Sequence, residues 1–164
     1  MSIPALTALG FLPFVVPICF AVALSDLRGM RIPNWSVGLL AAVFVLAGPL
    51  LMPFDTYFWQ LVHLPAGIGL GFLFYAAGAV GAGDAKFAGA AAPMIWLPDL
   101  PAVTMILAAS ILGGFAAHRI AKYTALRRLA PHWESWEAGK KFPMGLCLGC
   151  TLSAYLALGA LFGG

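Results

Sequence analysis

Asp26 and Asp84 are the two side chains of this sequence whose type and setting suit bond-breaking chemistry. Asp26 directly follows a long apolar run. Asp84 lies between two apolar runs, at the end of the tetrapeptide Gly81-Ala82-Gly83-Asp84. Two carboxylates at close range cannot both ionise cheaply, so such a pair shares a proton. The ionised member can take a proton from water, while the protonated member hydrogen-bonds a scissile carbonyl. That is peptide hydrolysis by a pair of aspartates, which calls for no metal and no cofactor. Gly81 and Gly83 suit such a site, because a backbone without Cβ can take a positive φ and lie close to a peptide. A membrane helix must be extended before it can be cut, and its freed backbone groups then need partners. Lys86 and Arg31 could bias the carboxylates towards ionisation or serve only as orientation signals. Pro33 and Asn34 mark a turn and a helix start, with Asn34 as the cap of the second helix.

The other four acids have blander settings. Asp55 and Asp99 lie in short turns with Pro nearby and are expected to be solvated. Glu134 and Glu137 lie in a long loop among Lys and Arg, and are expected to be solvated too. Cys147 and Cys150 sit inside an apolar run and read as small packing residues rather than metal ligands. His63 lies within a span and reads as a packed or interfacial histidine.

The elements that must position the two aspartates follow from composition. The chain has 164 residues, of which 62% are hydrophobic and only 9% charged. Its mean hydropathy is +0.96. A soluble domain carries roughly 25% charged residues, and this chain could not cover its surface in water. Composition thus excludes a soluble enzyme, a secreted disulfide scaffold, a disordered chain and a nucleic-acid binder. It points to an all-α, polytopic bundle of transmembrane helices lying in a lipid bilayer, with residues 1–164 as one integral-membrane domain.

Apolar runs long enough to cross a bilayer, about 20 residues each, place the spans. They cover about 3–24, 35–52, 57–80, 87–97, 102–117 and 142–162, six in all, the fourth short. The fourth is expected to begin within or before Gly81–Asp84, and residues 87–117 could instead form a re-entrant hairpin. The first run has no basic leader and reads as a retained helix rather than a cleaved signal. Residues 118–141 form the one long polar loop, beginning as a helix extension that Pro131 ends. Trp133 and Trp136 there suit the headgroup interface.

By this layout all nine basic residues fall on one side of the membrane, with Asp26 and Asp84. The positive-inside rule makes that side the cytoplasm, with the N-terminus outside and the C-terminus expected on the opposite side. Glycines, turn and sidedness are compatible with three classes: a two-aspartate protease, a proton- or ion-coupled membrane protein, and a non-catalytic subunit of a pilus or secretion assembly. A relay would spread ionisable groups through the membrane depth, whereas these cluster near one face.

The segment Asp26-Leu-Arg-Gly-Met-Arg31-Ile-Pro33-Asn34 resembles the first-aspartate motif of the type IV prepilin peptidases. Gly81-Ala-Gly83-Asp84-Ala-Lys86 resembles their GxGD motif with its following lysine. Phe142-Pro143-Met144-Gly145 is similar to their Pro-Phe-Gly segment, with Met144 in place of the usual aromatic. The presenilin-like proteases share the tetrapeptide but not the flanking segments. The resemblance implies an intramembrane aspartyl endopeptidase of the bacterial inner membrane, with Asp26 and Asp84 as the catalytic pair. Gly81, Gly83, Lys86, Arg31, Pro33, Asn34, Pro143 and Gly145 would support the motif or the substrate. Its substrates would be prepilin or pseudopilin precursors, cut on the cytoplasmic side between a short basic leader and an apolar helix. Larger members carry a four-cysteine zinc segment and methylate the new N-terminus. This chain runs straight from its first helix to Asp26 and resembles the minimal branch that processes Flp-type pilins, which implies peptidase activity alone.

Overall fold

The computed structural model describes residues 1–139 and 142–164; Lys140 and Lys141, two of the loop's expected orientation charges, lie outside the described residues. The described chain is all helical. Five helices are long and apolar enough to cross a membrane: α1 (Ala5–Gly29), α2 (Asn34–Leu51), α3 (Phe54–Ala76), α5 (Leu100–Tyr123) and α6 (Met144–Phe162). Between α3 and α5 lies the short α4 (Ala82–Ala91). Prolines 13, 17, 49 and 65 fall inside the long helices. Neighbouring helices tolerate them in lipid by re-satisfying the freed carbonyls.

The fourth expected span is therefore not a continuous helix. Ten α-helical residues rise only about 15 Å. From Ala92 the chain passes into 3₁₀ turns at Ala92–Met94 and Leu97–Asp99. With Pro93, Pro98 and Pro101 in this stretch, a continuous α-helix is not available. The 3₁₀ and extended residues climb faster than α-helix, so residues 82–99 cover about 34 Å. Their two ends show that they use that length. Asp84 shares a cleft with Asp26, near the end of α1. Asp99 accepts hydrogen bonds from the amides of Ser2 (2.7 Å) and Ile3 (3.0 Å), before its start. The fourth segment thus traverses the bundle from end to end, and residues 87–117 are not a re-entrant hairpin.

Six traverses bring the chain back to the end where it began. The amine of Met1 lies 3.4 Å from the carbonyl of Phe162, so the expectation of termini at opposite ends is corrected. Asp99 is corrected as well: it is not a solvated turn residue but only 5% exposed. Its carboxylate also accepts from the Tyr155 hydroxyl at 2.9 Å, and that hydroxyl accepts from the Trp96 amide at 3.1 Å. Three donors satisfy a carboxylate that would otherwise be costly to bury. Asp55, by contrast, is exposed as expected.

Two helix pairs pack most closely, α1 with α6 and α3 with α4. Small residues four apart let their backbones approach. A Cβ at Gly149 would meet the Cys19 carbonyl oxygen at 2.9 Å, and one at Gly71 would meet the Ala85 oxygen at 2.7 Å. Aromatic stacking of Phe11, Phe44 and Tyr57 ties α1, α2 and α3. The outer surface is apolar, with Leu6, Leu46 and Leu161 largely exposed. Such a surface suits acyl chains.

The long loop leaves α5 at Tyr123, continues as a 3₁₀ turn over Ala125–Leu129, and turns at Pro131. The helix extension is thus shorter than expected. Trp136 is 3% exposed, stacks on His118 at 4.7 Å between centroids, and donates from Nε1 to the Ala130 carbonyl at 2.7 Å. It pins the loop to α5 rather than sitting at a headgroup interface. Glu137 pairs with Arg127 on the surface.

Candidate active site

The site forms where three chain segments meet. The first is the end of α1. Asp26 sits in its last turn, and Met30, with φ 50°, stops the helix in a left-handed cap whose amide bonds the Asp26 carbonyl. The chain then runs extended through Pro33, which precedes α2.

The second segment is the start of α4. Gly81 caps it with φ −69° and ψ 151°, and Asp84 is its third residue. Glycines 81 and 83 do not use a positive φ; among the described glycines only Gly78 and Gly139 do so. Space is the constraint instead. A Cβ at Gly81 would lie 2.7 Å from Asp84 Oδ2, and one at Gly83 would lie 3.2 Å from Ile32 Cβ. The acid therefore folds back over the helix start, where the uncompensated amides favour negative charge.

The third segment is the start of α6, where Pro143 precedes the helix. The Gly145 amide, one of the first-turn N–H groups with no partner inside the helix, donates to Asp26 Oδ2 at 2.6 Å. A side chain there would force Asp26 to give way, since a Cβ would stand 3.0 Å from both the Cβ and Oδ2 of Asp26. Asp26 is 6% exposed.

Together these segments enclose a cleft of about 540 Å³, lined by Asp26, Asp84, Gly81, Gly83, Arg31 and Met144 among others. Two carboxylates 58 positions apart in sequence thus face one cavity. Arg31 reaches the cleft and also a neighbouring cavity of about 520 Å³, which it shares with Arg28 and Glu134. Arg28 in the last turn of α1, Arg31 of the first loop and Glu134 of the long loop therefore gather at the aspartate end of the bundle.

Two expected roles shift. Asn34 does not cap α2; it is the first helical residue, and its Oδ1 accepts from Lys86 Nζ at 3.2 Å. Lys86 thereby bridges α4 to α2 instead of facing either aspartate. Proline cannot supply a side-chain cap, but Ser36 Oγ donates to the Pro33 carbonyl at 2.7 Å and closes the turn. The cleft also uses Met30, Ile32 and Phe142, which sequence reasoning did not single out. Their only signal is their place inside the segments Asp26–Asn34 and Phe142–Gly145.

Comparison with known families returns one match. The model of the type IV leader peptidase family covers residues 14–118, which include Asp26 and the Gly81–Asp84 turn but not Gly145. Neither the curated proteins nor the solved structures compared with the chain gave a match. The matched segment spans well over half of the sequence and carries both carboxylates of the cleft: the chain belongs to the type IV leader peptidase family.

Proposed function

We propose that this protein is an intramembrane aspartyl endopeptidase that removes the leader peptide from Flp-type prepilins at the cytoplasmic face of the bacterial inner membrane. The observation that carries the reading is the convergence of Asp26 and Asp84 on one cleft, within a chain of the leader peptidase family. The pair shares a proton. The ionised carboxylate draws a proton from water as the water attacks the scissile carbonyl, and the other donates a hydrogen bond to the developing oxyanion. The departing amine then takes a proton from the pair, which restores it. The cleft also holds Arg31 beside the acids.

The Flp-type substrate rests on the resemblance of Asp26–Asn34 and Phe142–Gly145 to the minimal branch. The same resemblance, with no four-cysteine segment between α1 and α2, supports peptidase action without N-methylation.

The deciding experiment is co-expression with a Flp-type prepilin and a gel-mobility readout of leader removal. Asp26→Asn and Asp84→Asn are each expected to abolish cleavage, a fall of at least about 10³-fold, at unchanged protein level. Asp55→Asn, on an exposed turn, is the control and still cuts. Normal processing by either aspartate variant would sink the assignment.

A further inference from the structure

The outward face of α4 carries a recess that the aspartate cleft does not use. Ala88 and Ala92 form its floor, Gly67 and Leu70 of α3 form one wall, and Leu97 and Leu100 form the other. It encloses about 360 Å³. Its depth has a simple origin. α3 and α4 approach backbone to backbone at Gly67, Gly71 and Gly89, and the two alanines project only methyl groups between taller leucines. α5 packs on α6 and on the Leu97–Asp99 turn rather than along α3, so the recess is open sideways.

On a bilayer-embedded bundle such a face meets either acyl chains or another helix. Three features favour a helix. Residues four apart share one helical face, so Ala88 lies one turn along α4 from Asp84, with Ala92 at the helix C-cap beyond it. A small-residue floor between larger walls is the surface that admits a helix at close range. The recess is apolar apart from His63, while the cleft at Asp84, one turn along α4 from Ala88, holds two carboxylates and Arg31. A single occupant of both must change from polar to apolar within about a turn.

We infer that this recess docks the apolar membrane helix of the substrate, with the polar segment that adjoins it lying in the aspartate cleft. The inference rests on the peptidase reading above. It makes Ala88 and Leu70 specificity-determining residues for a substrate that carries such a helix. The α3–α5 side is then the side from which the substrate enters.

The test uses the full-length Asp26→Asn protein in membranes with a prepilin that retains its apolar helix. A photoreactive amino acid at Leu70 or Leu100 is expected to crosslink to that helix. The same group at Leu6 or Leu46, on the outward faces of α1 and α2, is expected not to. Adducts with phospholipid alone from the recess positions, or prepilin adducts from Leu6 or Leu46 instead, would overturn the inference. In the catalytically intact protein, Ala88→Trp fills the floor and is expected to lower kcat/KM for the same prepilin at least tenfold, chiefly through KM. An unchanged KM overturns the inference. Wild-type cleavage of that prepilin is measured in parallel: if it fails, the peptidase reading falls and the docking with it. If cleavage proceeds while the recess positions are silent, the docking falls alone.

Discussion

At the scale of single residues, the most exacting position is Gly145. It supplies the amide that holds Asp26 Oδ2 and can take a side chain only if Asp26 gives way. Gly145→Ala must therefore push the carboxylate by a few tenths of an ångström or more. Such misplacement costs about 10–100-fold in rate. The expected signature is a fall in kcat at near-constant KM and unchanged protein level; a loss of folded protein instead would make Gly145 merely structural. Asp99 behaves differently. Its partners are the amides of Ser2 and Ile3 and the hydroxyl of Tyr155. Asp99→Asn puts an NH₂ group against an existing donor, and is expected to destabilise the protein by about 2–3 kcal/mol. Tyr155→Phe, which removes one donor, should cost about 1–2 kcal/mol. Thermal unfolding in detergent checks both, and Asp99→Asn is thus no neutral control for catalysis. The contrast marks the limit of residue-level reading. Asp26 and Asp84 were legible because acids beside apolar runs are conspicuous. Asp99 looked like any turn acid, because the donors that bury it lie 96 and 97 positions away and on α6.

At the scale of elements, hydropathy located every long helix, because crossing a bilayer is a constraint on length, although α1 and α5 run on past the expected ends at 24 and 117 to Gly29 and Tyr123. The long loop and α4 were less legible. An apolar run reports burial in lipid but not helical continuity, so the stretch Ala92–Leu97, which the structure unwinds, reads in sequence as part of a short span. Asn34 resembled a cap because caps and first-turn residues share the same polar types; its actual partner, Lys86, lies 52 positions on. Helix pairing was also hidden, since small residues mark a packing stripe without naming the partner. The structure names it for α1 and α6, and a substitution tests it. Gly149→Val would drive a side chain into the Cys19 carbonyl and is expected to cost about 1–3 kcal/mol. Gly113→Ala meets nothing within 4 Å and should stay within about 1 kcal/mol of wild type. Equal melting temperatures for the two variants would contradict this packing.

At the scale of the whole molecule, the aspartate end of the bundle also holds Arg28 of α1, Arg31 of the first loop and Glu134 of the long loop. The positive-inside rule then predicts that this end faces the cytoplasm. Alkaline phosphatase fused after Asp55 should be active in intact cells, and fused after His132 inactive; the reverse pattern would invert the molecule. The distribution of the carboxylates across the bundle has a mechanical meaning. Asp26 belongs to the tight α1–α6 pair, which also supplies its Gly145 amide. Asp84 belongs to the tight α3–α4 pair, joined to the first by thinner contacts through α2 and α6. Each half of the bundle thus brings one acid, and neither half alone holds a proton-sharing pair. The gap between the acids therefore depends on how the two halves pack against each other through α2 and α6. On the proposed reading, a substitution that loosens the contacts of α2 or α6 with α4 would part the acids without touching either, a vulnerability that a dyad carried on one rigid unit would not have.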